Sequence, residues 1–153
     1  VSSAFAGVPV SHTVTVEIAA SPARVRQVLA AVERWPSWTA SVAEVRLLEE
    51  GRFGVGSTVR IRQPRLRPAV WRVTVYEPDR CLTWQSVAPG VLTVARHRIE
   101  PRPDGGADDT LTLGQSGPAA PVLGVVYGPL TRRYLAVEAA GLKRAAEQAP
   151  SGT

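Results

Sequence analysis

His97 sits between Arg96 and Arg98 in the stretch 92–100, whose residues alternate as those of an extended strand do. Turning two guanidinium groups together into an apolar core would be costly. The alternation therefore places His97 on one face with Ala95 and Ile99, and the two arginines on the other. An imidazole held inside, with an ordinary pKa of about 6.5, can donate, accept or shuttle a proton near neutral pH. His97 is the candidate catalytic residue; the plainer alternative is a histidine hydrogen-bonded within the core or at a cavity rim.

Other side chains share the inward register. Gln63 and Gln115 fall near strand ends, where an amide either holds a ligand carbonyl or meets water at a cavity mouth. Tyr127 and Tyr134 are two helical turns apart, so both hydroxyls project along one stripe, with Glu138 one turn further at its edge. Trp71 and Trp84, on successive strand-like runs, face inward with Val73 and Leu113. The indoles are either walls on which a planar or polyene ligand stacks or simple core filling. His12 and His97 stand apart, and no Asp, Glu or His cluster has metal-ligand spacing. Phosphate-binding and dinucleotide glycine patterns are absent as well. No cofactor is expected.

The elements that must position these groups are legible in the pattern. Residues 13–18 (TVTVEI) alternate with Val14, Val16 and Ile18 on one face. Ser21-Pro22 reads as a helix start, serine capping and proline where its missing N–H costs nothing; Trp35-Pro36-Ser37-Trp38 ends that helix. Strand-like runs follow at 42–48, 57–63, 70–77, 81–86, 92–100 and 110–116, joined by short turn-rich links. Such links permit only antiparallel neighbours, because parallel pairs need long crossovers. Along them Val45, Leu47, Val59, Ile61, Val73, Val75, Leu82 and Leu111 read inward. An apolar stripe from Leu123 to Gly141 then marks a C-terminal helix, expected over 129–148 with a lead-in turn before Gly128-Pro129. The predicted fold is α+β: a seven-stranded curved antiparallel sheet wrapped around a long C-terminal helix, with a short helical insert after the first strand. One helix about 10–12 Å across does not fill such a concavity, so a cavity is expected between them. The domain is expected over 13–149, flanked by tails at 1–12 and 150–153.

With 153 residues the chain suits one domain. Cys81 is the only cysteine, which excludes an intrachain disulfide and a cysteine-rich metal site. The segment 1–12 does not read as a signal peptide, and no run reaches the roughly 18 apolar residues of a membrane span. A cytoplasmic protein without stable membrane insertion is expected. The net charge of +5 is carried by arginine, since Lys143 is the sole lysine. Arg46, Arg60, Arg62, Arg72, Arg96 and Arg98 all read outward. They form either a solvated face or a surface for an anionic partner such as an acidic carrier protein. Nucleic acid is not expected, because no outward aromatic platform accompanies the charge.

Several segments, taken in order, carry a resemblance: SPARVRQVL at 21–29, WPSW at 35–38, GSTVRIRQP at 56–64, WRVTVYEPDRCLTW at 71–84, HRIEPRPDGG at 97–106 and GLKRAAE at 141–147. Over about 13–148 the chain resembles the polyketide cyclase/dehydrase-like branch of the START-like (SRPBCC, helix-grip) superfamily. The resemblance implies a helix-grip fold with a hydrophobic cavity, in a family of aromatase/cyclases and lipid carriers. It also places Trp38, the second tryptophan of the WPSW motif, near the entrance. Cyclases of this kind pair a cavity arginine with aromatic, tyrosine or histidine partners. Here the middle-strand Arg72 reads outward, leaving Arg65 or Arg67 of the preceding loop to reach the mouth.

Three functions follow as expectations. The first is binding of a small hydrophobic molecule, lipid- or polyketide-like, by a cavity lined with Trp38, Gln63, Trp71, Val73, Trp84 and His97 from the sheet side. Leu113, Gln115, Tyr127 and Tyr134 complete the lining. The second is a polyketide cyclase or dehydratase with His97 as general acid/base. The third is an interaction module that uses the basic convex face.

Overall fold

Short, turn-forming links leave each strand after the helical insert to pair with its neighbour in sequence, and the computed structural model, which describes Phe5 and residues 7–148, has that arrangement, with the first strand set against the last. The chain runs β1 (Val10–Ile18), α1 (Pro22–Ala30), a 3-10 helix (Val32–Ser37), β2 (Glu44–Leu47), β3 (Thr58–Arg62) and β4 (Ala69–Glu77). It continues through β5 (Cys81–Ala88), β6 (Val91–Pro101), β7 (Ala107–Ser116) and α2 (Ala120–Glu147). One seven-stranded sheet has the order β1-β7-β6-β5-β4-β3-β2, every pair antiparallel. This is the helix-grip fold, α+β, with α2 lying in the sheet's concave face. The tail expected at 150–153 lies outside the described residues, as do parts of the segment 1–12. Among the described residues no helix is long and apolar enough to cross a membrane.

The Ser21 hydroxyl accepts from the Arg24 N–H at 3.2 Å, so α1 starts where the Ser-Pro pair predicted. The α1 and 3-10 segments plug one end of the concavity. Val25, Leu29, Val32 and Trp35 pack there with Ile18, Val59, Val73 and Leu142. Gly141 lets α2 approach closely, since a Cβ at that position would collide with the Trp38 carbonyl oxygen. Among the described residues no comparable plug occupies the other end, beneath the first half of α2.

Four local expectations need correction. The β1 strand begins at Val10, ahead of the TVTVEI alternation. The β2 strand is shorter than 42–48, and Val42 packs into the core from outside it. The α2 helix begins at Ala120 and runs unbroken through Gly128-Pro129. Pro129 removes the N–H that would bond the Val125 carbonyl, but both residues are exposed, so solvent can serve that oxygen. Finally, β4 carries a register shift between Val73 and Val75. Val73 opposes inward Trp84, while Val75 opposes outward Thr83, and Tyr76 pairs with inward Leu82 and joins the core. Val75, expected inside, therefore faces outward, because a bulge at Thr74 reverses the alternation.

The convex face is partly covered. The segment of Val8 and Pro9 crosses it at Gly114, where a Cβ would meet the Pro9 carbonyl oxygen at 2.6 Å. The Arg96 guanidinium stands over the Phe5 ring, 5.0 Å from its centroid. Arg96 points outward as expected, yet it is half-buried instead of solvated. Arg46, Arg60, Arg62, Arg72 and Arg98 are exposed.

Candidate functional site

The unplugged end of the concavity holds a cavity of about 580 Å³, within the range of roughly 300–1,000 Å³ typical of small-molecule sites. Its sheet wall comes from inward positions of β3 to β7, and α2 supplies the roof through Leu123, Tyr127, Thr131, Tyr134, Leu135 and Glu138. Trp35, Trp71 and Trp84 form an aromatic corner, Trp84 lying 5.3 Å from Trp35 and 6.0 Å from Trp71 between ring centroids. The Trp35 indole N–H donates to the Leu29 carbonyl at 3.0 Å, which fixes that ring in place.

Most of the lining expected from sequence comes together here: Gln63, Trp71, Trp84, His97, Leu113, Gln115, Tyr127 and Tyr134 all border the cavity. Val73 and Trp38 do not. Val73 is sealed in the solid core beside Trp84. Trp38 lies beneath Gly141, far along α2 from the open end, because the small glycine draws that ring against the helix. Its expected place near an entrance is not where the structure puts it. Arg72 is exposed, Arg67 borders the cavity, and Arg65 does not.

Several of the polar lining groups are engaged within the protein. The Gln63 amide donates to the Ser41 carbonyl at 3.1 Å, and the Gln115 amide donates to the Thr93 hydroxyl at 3.2 Å. The Tyr134 hydroxyl donates to the Pro64 carbonyl, linking α2 to the β3–β4 loop. Glu138 is the only carboxylate among the lining residues.

His97 faces inward, as its flanking arginines required, and it is bonded on both nitrogens. Its Nδ1 lies 2.9 Å from Asp109 Oδ2 on β7, and its Nε2 lies 2.8 Å from Glu138 Oε2 on α2. Trp35 meets the ring edge-on at 5.8 Å. Burial by itself pushes the imidazole pKa down, but the Asp109 and Glu138 carboxylates overcome it and raise it to about 10. At neutral pH the ring is an imidazolium that donates to both carboxylates. Asp109 has no exposed side-chain surface, and its Oδ1 has no partner among the described residues. Glu138 retains 13% side-chain exposure, toward the cavity. The array therefore runs from a sealed carboxylate through an imidazolium to the one carboxylate that a ligand can touch.

Glu138 stands at the edge of the helical stripe in the sequence, whereas Asp109 lies one residue ahead of the run expected at 110–116. The signal was nevertheless present: Asp109 has the same parity as Leu111 and Leu113, both inward. Among the described residues no group of His, Cys, Asp and Glu could hold a metal ion.

A family model described as polyketide cyclase/dehydrase and lipid transport matches residues 9–147. No curated protein sequence matches the chain. Among solved structures, the ZhuI aromatase/cyclase from Streptomyces sp. R1128 superposes with a TM-score of 0.75 at 20% identity, covering 95% of this chain and 99% of that one. A START superfamily protein from Mycobacterium smegmatis gives 0.66 at 18% identity, over 89% and 98% of the two chains. Norcoclaurine synthase from Thalictrum flavum gives 0.68 at 14% identity, over 91% and 87%. At these identities the shared feature is the fold.

Proposed function

The chain belongs to the polyketide cyclase/dehydrase and lipid transport family, and from that premise we propose that it takes a small hydrophobic molecule, lipid- or polyketide-like, into the cavity between sheet and α2. The observation that carries this reading is the cavity itself, about 580 Å³ with an aromatic corner and a mainly apolar wall. Walls of that kind reward burial of apolar and planar surface, while the polar groups among them orient what enters. Native mass spectrometry of protein purified from its own host tests it. A retained small molecule is the expected result; protein that is repeatedly empty and that also rejects planar hydrophobic probes would overturn the reading.

A second reading, a cyclase or dehydratase acting on a polyketone in the same cavity, is favoured by the Asp109–His97–Glu138 array. Passive storage of an apolar molecule does not need an ionised chain in its wall, and buried ions are costly to keep. In this reading the Glu138 carboxylate accepts the proton from a carbon between two carbonyls. The resulting enolate attacks a second carbonyl, closing a ring, and proton return to the new alkoxide completes the aldol. In the dehydration that follows, the Glu138 carboxylate takes the remaining proton from the carbon between the carbonyls and passes it to the departing hydroxyl, which leaves as water as the C=C bond forms. His97 borders the cavity with both ring nitrogens already bonded, so it acts by holding Glu138 in place; no cofactor takes part. The partner of this reading is an acidic carrier protein, with exposed Arg46, Arg60, Arg62, Arg72 and Arg98 as its complementary face, and the setting is the cytoplasm. Turnover of a polyketone that the wild-type chain converts should fall by roughly 10²–10⁴ in Glu138→Gln. Unchanged turnover in that variant would sink the catalytic reading and leave the binding one standing.

A further inference from the structure

The rim of the cavity differs from the rest of the surface. Three segments build it: the β3–β4 loop with Leu66 and Arg67, the β5–β6 turn with Ala88 and Val91, and the first turns of α2 with Leu123 and Tyr127. They are tied into one unit, since the Ala119 N–H donates to the Gly90 carbonyl at 2.9 Å and the Tyr134 hydroxyl donates to the Pro64 carbonyl. Around this unit, residues 63–71, 84–95 and 113–137 contain four arginines, Arg65, Arg67, Arg132 and Arg133, and no aspartate or glutamate.

The same rim exposes large apolar side chains. Val87 is 75% exposed, and on α2 Val122, Val125 and Val126 are 64%, 81% and 61% exposed. The three α2 valines follow the three- and four-residue spacing of one helix face, and they protrude instead of lining a groove. Acidic side chains gather at the opposite end: Glu17, Asp104 and Asp108 around Arg102, with Glu77, Asp79 and Glu147 on the neighbouring strand and helix ends. At that end most of the carboxylates are matched in ion pairs by Arg26, Arg102 and Lys143, whereas the rim at the cavity mouth is polarised toward cationic and apolar side chains without carboxylates.

From this polarity we infer that the rim docks reversibly on an anionic lipid bilayer, with the valines entering the headgroup boundary and the arginines meeting lipid phosphates. Protruding aliphatic side chains beside arginines, without carboxylates, match what an interfacial helix presents to such a surface. A folded protein partner would need a shaped counterpart and paired polar groups, which this rim does not offer. Docking opens the cavity toward the bilayer, so a hydrophobic ligand passes between the two without crossing water. That passage rests on the proposed ligand-binding role of the cavity, whereas the docking does not.

Sedimentation of the full chain with phosphatidylcholine vesicles, with and without phosphatidylglycerol, separates these points because it reads binding whether or not the cavity is filled. The wild-type chain should pellet with the anionic vesicles and much less with neutral ones. Val125→Asp combined with Val126→Asp, at exposed positions where the fold is not at stake, should weaken binding by about tenfold or more. Arg132→Glu combined with Arg133→Glu should weaken binding to the anionic vesicles alone. Arg60→Glu with Arg72→Glu on the convex face should leave it unchanged. The inference falls if the wild-type chain ignores anionic vesicles, or if the convex-face variant loses binding while the valine variant keeps it. It falls equally if light scattering shows that the valine variant dissociates a dimer, or if the rim captures an acidic carrier protein and not vesicles.

Discussion

His97 and Glu138, separated by 41 positions in the chain, meet at 2.8 Å across the gap between β6 and α2, and this contact is where the sheet's interior becomes the cavity wall. Behind it, Asp109 completes a buried run of charge that an apolar pocket could have done without.

Removing the centre of that run should be costly. In His97→Ala the Asp109 and Glu138 carboxylates lose their shared cation while remaining enclosed, and breaking a buried ion pair in this way typically costs about 3–5 kcal/mol. Urea denaturation should show that loss in His97→Ala and a smaller one in Asp109→Asn, which keeps a hydrogen-bonding group. A His97→Ala protein as stable as wild type would mean that the array is not formed in solution.

Stability should also depend on pH in one direction. The imidazole binds its proton more tightly folded, with a pKa of about 10, than unfolded, at about 6.5. Its contribution is therefore fully present below pH ~6.5 and is lost as pH rises toward about 10, by up to about 1.4 kcal/mol per pH unit. The charged groups hydrogen-bonded to it are Asp109 from β7 and Glu138 from α2. Thermal melts between neutral and alkaline pH should fall more steeply for wild type than for His97→Gln; parallel curves would contradict the assigned ion pairs.

Filling the cavity should abolish ligand uptake without harming the fold. Ala95 lies on its sheet wall, and Ala95→Phe projects a ring into space that is already open. Binding of a fluorescent anilinonaphthalene probe should weaken by about tenfold or more, while the melting temperature stays near or above that of wild type. A variant that binds the probe as wild type does would place the probe site elsewhere.

Two glycines of α2 should respond in opposite senses. At Gly141 a Cβ collides with the Trp38 backbone, so Gly141→Ala should destabilise by about 1–3 kcal/mol. At Gly124 a Cβ meets nothing within 4 Å, and Gly124→Ala should stabilise by about 0.5–1 kcal/mol through helix propensity. Equal effects in denaturant titrations would mean that α2 does not press against the Trp38 turn.

Period-two alternation and turn chemistry were enough to read the seven strands, the antiparallel pairing of those joined by short links and the inward direction of His97, because side-chain direction along a strand is set locally by the pleat; the pairing of β1 with β7 is not carried by either. The same local rule failed at Thr74, where a bulge turned Val75 out, and at Trp38, whose position follows from α2 pressing a glycine against it. Helix punctuation was ambiguous for a related reason. Gly128-Pro129 looks like a break, but a helix tolerates it where the freed carbonyl faces solvent.

The amino-acid order by itself determined which faces are apolar and which residue types stand on them, since those properties belong to each residue and its nearest neighbours. Only the tertiary structure decided that Asp109 and Glu138 close on His97 from two different elements, that the N-terminal segment covers Arg96, and that one end of the concavity stays hollow. Those outcomes depend on how distant volumes and charges come to rest against one another, and no local period carries that information.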